Sequence, residues 1–193
     1  MNTSAPRGDP GVAVPFDLQP TLTGDLVVLR PMRPGDFPAL HAVAADPLIW
    51  EQHPEPERCR PDVFRRFFQG ALDSGGAFLV LDRESQQVIG STRYFGYNEA
   101  RSEIEIGWTF LARSHWGGRY NGDMKRLMLR HAFQFVTRVL FLIGPNNLRS
   151  QKAVERIGGT RSESRPARDI GDSVMFAIDR ATYTLRDEAR ATS

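Results

Sequence analysis

The sequence predicts an α+β sandwich: a mostly antiparallel sheet of six to seven strands with helices on both faces. Three observations lead there. β-Branched strand-like runs and helical apolar stripes are mixed along the chain rather than strictly alternating. Three of the strand-like runs follow one another across short turns, as an antiparallel meander requires. Helical segments stand both before and after that meander, so cover exists for either face of the sheet.

Taken in order, residues 1–20 are rich in Pro, Gly and small polar residues and read as an extended or disordered arm. The domain is expected over 21–180, followed by a charged tail, 181–193. Leu26–Leu29 is a strand, broken by Pro31 and Pro34-Gly35. Asp36 is placed to cap a helix carrying Phe37, Leu40, Val43 and Ala44, which Pro47 ends. Residues 49–56 hold two prolines and form a loop. Pro61 opens a second helix with Val63, Phe64, Phe67, Phe68 and Leu72 inward. After the turn at Asp73–Gly76 come strands over Ala77–Leu81, Val88–Phe95 and Glu103–Phe110. A long helix over Gly122–Thr137, a strand over Val139–Ile143, a helix over Asn147–Ile157 and a strand over Ser173–Ile178 complete the series.

The 193 residues suit one domain with a real core. No apolar run is long enough to span a membrane, and the first residues lack a signal-peptide pattern. A single cysteine, Cys59, makes no internal disulfide, so the expected compartment is the cytoplasm. A net charge of +2 is too mild to argue for nucleic acid. His41, His53, His115 and His131 stand at no ligand spacing, so no metal is expected. Asp73-Ser74-Gly75-Gly76 mimics a serine-protease nucleophile loop, but no matching His and Asp blocks accompany it.

Chemistry concentrates in Trp108–Gly122, where a strand ends, glycines turn the chain and a long helix begins. Helix-start amides and glycines accept a pyrophosphate, with Arg113, Arg119, Lys125 and Arg126 near enough to add charge. The alternative is a turn that needs glycine only to start a helix. The spacing is neither a Walker loop nor a dinucleotide fingerprint.

The stretch Glu105-Ile106-Gly107-Trp108, then Trp116-Gly117-Gly118-Arg119-Tyr120-Asn121, resembles the acyl-CoA motif of the GCN5-related N-acetyltransferases (GNAT). It is most similar to the RimJ/RimL-like branch that acetylates ribosomal-protein N-termini. Pro145–Ser150 followed by Glu155–Gly158 resembles that family's second block, with one helix and one strand between the two. Arg119 stands where the family's second motif glycine sits, which requires φ < 0 there.

The resemblance implies direct acetyl transfer from acetyl-CoA, as cosubstrate, to a primary amine of a peptide N-terminus or small molecule. It places the coenzyme between the parted ends of the two parallel strands, with Phe110 and Leu111 amides polarising the thioester. Trp116, Gly117, Gly118, Arg119, Tyr120, Asn121, Gly122 and Asn147 are the further coenzyme residues, and Glu105 and Ser150 the catalytic pair. Each has a plainer alternative: Glu105 with Glu103 on a solvated face, Asn147 as a helix cap, Ser150 as a surface serine, Tyr120 as a packing anchor. Trp50 and His53 are the acceptor-binding candidates, Trp50 alternatively capping the core. His131 reads as a core histidine and His115 as a loop residue. No membrane or nucleic-acid partner is expected, and a homodimer is compatible. The rivals are a non-catalytic acyl-CoA-binding or sensor protein of the same fold, and transfer of another acyl group.

Overall fold

The computed structural model describes residues 15–163 and 171–184. Its strands are β1 (Leu22–Thr23), β2 (Val27–Pro31), β3 (Ala77–Asp82), β4 (Val88–Asn98), β5 (Glu103–Leu111), β6 (Arg138–Ile143), β7 (Thr160–Arg161) and β8 (Val174–Asp179). Its helices are α1 (Phe37–Ala44), α2 (Pro61–Asp73), α3 (Arg119–Ala132) and α4 (Leu148–Arg156). The strands form one sheet in the order β1-β2-β3-β4-β5-β6-β8-β7. Every neighbouring pair is antiparallel except β5 and β6, which run parallel. The mixed architecture is the expected one; the two-residue edge strands β1 and β7 raise the strand count to eight.

Alternation along the strands divides the core in two. Phe78, Val80, Tyr94, Ile104, Ile106 and Phe176 face α3 and α4, meeting Met124, Met128 and Val154. Leu79, Ala77 and Phe110 face the other way, onto Leu40 of α1 and Phe64 and Phe68 of α2. The sheet is thus covered on both sides over the strands that carry the cleft described below.

Several local expectations are corrected. Asp36 does not cap α1: its carboxylate takes Arg30 at 2.6 and 2.8 Å and the Arg33 amide at 2.7 Å, closing the turn ahead of the helix. Pro47 does not end α1, which stops at Ala44; it opens a short 3-10 turn capped by Asp46. The long helix starts at Arg119 rather than Gly122 and ends at Ala132, because Gly117 and Gly118, not Gly122, take the left-handed backbone that turns the chain. The last residues of the expected arm belong to the core. Phe16 stacks on Phe135 with ring centres 4.7 Å apart, and His131 Nε2 lies 2.7 Å from the Asp17 carbonyl oxygen. Residues 180–184 are helical, with Tyr183 against Phe133, so the ordered chain passes beyond 180. Residues 1–14 and 185–193 of the expected arm and tail lie outside the described residues.

α3 is fastened to β2 by Asp123. Its carboxylate accepts from the Leu26 amide at 2.8 Å, the Val27 amide at 3.2 Å and Arg126 at 2.6 Å. Replacing it by alanine strands the Leu26 and Val27 amides at a buried site, while Arg126 keeps Asp25. Asp123→Ala is expected to cost about 2–4 kcal/mol in urea unfolding; a loss within experimental error contradicts this fastening role.

Candidate functional site

The site originates where β5 and β6 part. Their pairing covers Glu103↔Arg138, Ile104↔Val139 and Glu105↔Leu140 and then stops, although β5 continues to Leu111 and β6 to Ile143. β5 stays with β4 and β6 with β8, so the gap widens between them. The divergence coincides with a bulge. Arg93 pairs with Gly107 and Ser91 with Phe110, so β5 spends one residue more than β4, and Trp108 takes φ +50°. The extra residue re-phases the side chains: Thr109 and Leu111 turn to the α3 side, Phe110 to the α1/α2 side. A cleft of about 510 Å³ opens through the gap and is lined from both faces of the sheet.

On the α3 side the cleft is rich in backbone donors. The Ala112 amide bonds Ile89 at 2.7 Å, which makes Gly90↔Leu111 a pair without mutual hydrogen bonds. The Leu111 peptide edges therefore point into the gap, where its carbonyl accepts the Trp116 indole N–H at 2.9 Å. Phe110 alternates with it, so its amide belongs to the β4 ladder; of the two expected amides only that of Leu111 faces the cleft. Gly117 and Gly118 each have φ +101°, a backbone that only glycine adopts without strain. The first bond of α3 is Gly122 N–H to Gly118 at 2.8 Å, leaving the Arg119, Tyr120 and Asn121 amides without helical acceptors, and no side chain caps them.

Trp116, Gly117, Gly118, Asn121, Asn147 and Ser150 all line this half. Asn147 caps α4, its side-chain oxygen accepting from the Ser150 amide at 3.1 Å. Arg119 is the first residue of α3, with helical backbone and an exposed side chain outside the cleft wall. Tyr120 turns away: its hydroxyl donates to Asp82 at 3.0 Å and its ring meets His115 at 4.6 Å, so it is a packing anchor. Gly122 lies within the first turn and off the wall. Arg113 pairs with Asp46 at 2.5 Å and Arg126 with Asp25 and Asp123 at 2.6 Å each, so neither stands in the cleft.

The α1/α2 half carries the charges. Glu103 and Glu105 are each only 6% exposed, which overturns the solvated-face alternative. Glu105 lines the cleft close to Arg93: burial and the Arg58 charge pull the Arg93 guanidinium down to about 10, and the Glu105 carboxylate works against them. Trp50 is a buried anchor, donating to the Ala44 carbonyl at 2.7 Å with its ring 4.9 Å from Phe110, and it also borders the cleft. His53 sits between two donors, the Glu55 amide at 3.0 Å and Arg58 at 2.9 Å. Burial and the Arg58 charge lower it to about 4, so the ring is neutral near pH 7.

Four side chains of the site go beyond the sequence reading, three with no role in it and Lys125 with one only as charge. Arg58 pairs with Glu55 and spreads over Trp50 and Phe67. Arg93 reaches from β4 to the Gly70 carbonyl at 3.0 Å. Arg149 covers the Trp116 ring at 4.0 Å and donates to the Ile49 carbonyl at 3.0 Å, joining the two halves of the cleft mouth. Lys125, read from sequence only as charge near the turn, is 4% exposed and donates to Thr109 at 2.7 Å and Thr92 at 3.4 Å. Only its neighbour positions in the apolar stripe, Met124 and Met128, hinted at an inward place. Among the described residues no group of three or more His, Cys, Asp and Glu could hold a metal, and no helix is long and apolar enough to cross a membrane.

Burial lowers the Lys125 ammonium to about 7 from 10.5. The unfolded chain therefore binds the extra proton between these values, and stability rises with pH across that window. Below the folded value the full cost of burying the charge applies. Lys125→Met is expected to stabilise the protein by a few kcal/mol at about pH 6, the gain shrinking toward about pH 10. Thermal unfolding at both pH values checks this; a variant less stable than the parent at acid pH contradicts it.

Known proteins agree with this geometry. The sequence profile of the acetyltransferase (GNAT) domain matches residues 27–160. No curated protein matches the chain. Among solved structures the chain is similar to a GCN5-related N-acetyltransferase from Brucella melitensis, with a TM-score of 0.76 and 19% identity over 92% of this chain and 86% of that one. It is also similar to a GNAT-family acetyltransferase from Bacillus anthracis, with a TM-score of 0.66 and 17% identity over 82% and 98% of the two chains. A candidate ribosomal-protein-serine acetyltransferase from Vibrio cholerae gives a TM-score of 0.66 and 16% identity over 82% and 97%. With the domain profile covering well over half its length, the chain belongs to the GNAT acetyltransferase family.

Proposed function

We propose that the protein transfers an acetyl group from acetyl-CoA directly to a primary amine, with the coenzyme entering on the α3 side and the acceptor on the α1/α2 side. The observation that carries this reading is the opening between β5 and β6, with unpaired amides on one face and the buried Glu105 on the other. The family uses acetyl-CoA as cosubstrate. The amides of Gly117–Asn121 and the positive end of α3 suit its pyrophosphate. Arg119, helical and exposed at the rim, adds a guanidinium for a coenzyme phosphate. Asn147 offers its NH₂ to the pantetheine arm, and the Leu111 amide polarises the thioester carbonyl.

Glu105 takes the acceptor's proton, directly or through one water, so that a neutral amine attacks. Ser150, on the first turn of α4, donates a hydrogen bond to the sulfur. Trp50 and His53 border the acceptor half, with His53 neutral and Trp50 serving mainly to hold Phe110. The acceptor is a peptide N-terminus or a small amine. The Trp-Gly turn and the likeness to the Vibrio cholerae structure favour the branch acting on ribosomal-protein N-termini. The binding-protein alternative rests on Arg119 distorting the turn; its place in α3, with helical backbone, supports the coenzyme reading instead.

Acetyl-CoA at 100 times its dissociation constant is expected to add about 2.7 kcal/mol, raising the unfolding midpoint by several degrees, while ATP and NAD do not. Equal shifts for all three, or none, contradict the coenzyme assignment. With an amine found by screening peptide N-termini and small primary amines, Glu105→Gln is expected to lower kcat roughly 100-fold without weakening acetyl-CoA binding. An unchanged kcat removes Glu105 as the base.

A further inference from the structure

Among the described residues Lys125 is the one cleft-lining amine, and its surroundings are unusual for an ammonium. It points from α3 into the crotch of the opening, bonded to Thr109 of β5 and Thr92 of β4, with Nζ 5.7 Å from the Phe141 ring of β6. It therefore lies between the two parting strands, just past their last paired residues, Glu105 and Leu140. Met128 of its own helix closes the pocket below, against Thr92. Burial shifts it, and among the described residues no carboxylate acts on it. Glu105 of the cleft wall and the cations Arg93 and Arg58 stand on the opposite face of the sheet. An uncompensated buried cation is costly, and a strongly perturbed group in a cleft is a candidate for function.

We propose, resting on the acetyl-transfer reading, that the Lys125 ammonium is the proton donor to the sulfur that leaves acetyl-CoA. Any arm that threads the opening toward the acceptor side passes Nζ. The neutral acceptor amine attacks the acetyl carbon, and the tetrahedral intermediate collapses with cleavage of the carbon–sulfur bond. The sulfur leaves with the bonding electron pair and takes a proton from Lys125, which becomes a neutral amine. Glu105, having passed the acceptor's first proton to solvent, takes the second from the new amide nitrogen and releases it in turn, and Lys125 regains a proton from solvent as coenzyme A departs. A folded value of about 7 suits a group that must hold a proton and then release it near neutral pH. Ser150 can orient the sulfur or relay a proton, but its hydroxyl is a much weaker acid than a thiol and cannot be the final source of the proton. The sheet thus separates a proton acceptor on one face from a proton donor on the other.

The test needs no acceptor. Coenzyme A is titrated into the full-length protein across pH, and the ultraviolet absorbance of its thiolate is followed, with acetyl-CoA and desulfo-coenzyme A as probes lacking the thiol. The bound thiol is expected to ionise about one to two pH units below its ordinary value of about 8.5, because Lys125 stabilises the thiolate. Lys125→Met should abolish that shift while acetyl-CoA still binds, and Lys125→Arg, which keeps the charge, should preserve it. A bound thiol that titrates at or above its ordinary value in the parent protein overturns the proposal, and so does a shift that survives Lys125→Met. Calorimetry run first separates the two levels: if neither acetyl-CoA nor coenzyme A binds the parent, the acetyl-transfer reading itself falls.

Discussion

The structure depends on one interruption of the sheet. β5 and β6 begin as hydrogen-bonded parallel neighbours and separate after three residue pairs. Each remains bound to its other neighbour, so the sheet stays continuous below the split while it opens above. The bulge at Trp108 adds the residue that bends β5 away and sends Phe110 into the core beneath α1 and α2. Phe110 is then gripped by Trp50, Phe64 and Phe67, which keeps the opening from closing. Backbone groups that a normal ladder would consume, such as the Leu111 amide, are left facing the gap. In a β-sheet an unpaired buried peptide is a cost; here the proposed coenzyme would complete it.

Charge is distributed around that gap by face. The α1/α2 side combines Arg58, Arg93 and Glu105 with a neutral His53, and its cations are spread over the Trp50, Phe67 and Trp108 rings. The α3 side combines peptide dipoles with a single buried amine. Arg149, stacked on Trp116 and bound to Ile49, ties the glycine turn to the loop that borders the α1/α2 half. The mouth of the cleft is therefore built from three chain segments that only the fold brings together.

What the sequence revealed follows from locality. The glycine turn, the Asn147 cap and the meander are written in adjacent residues, because each answers a backbone demand of its own few positions. The bulge is not legible in this way. A one-residue insertion leaves the apolar alternation of Ile104, Ile106 and Phe110 apparently intact while reversing which face Phe110 occupies. The same limit explains Tyr120: the motif placed it beside the turn, but its direction depends on Asp82, 38 residues earlier. In sequence Lys125 is only a charge near the turn; its contacts with Thr109 and Thr92, on other elements, place it inside. Arg58 and Arg93 sit in no motif, and only the packing of α2 and its neighbouring loop on β4 assembles them.

The most direct test of the account is amide hydrogen exchange with and without acetyl-CoA. Protection is predicted at Leu111, through Gly117–Asn121 and around Asn147–Ser150, with the outer strands β1 and β2 unchanged. Protection that avoids these amides and gathers elsewhere, with the β5–β6 opening exchanging as before, would contradict the assignment of that opening as the coenzyme site.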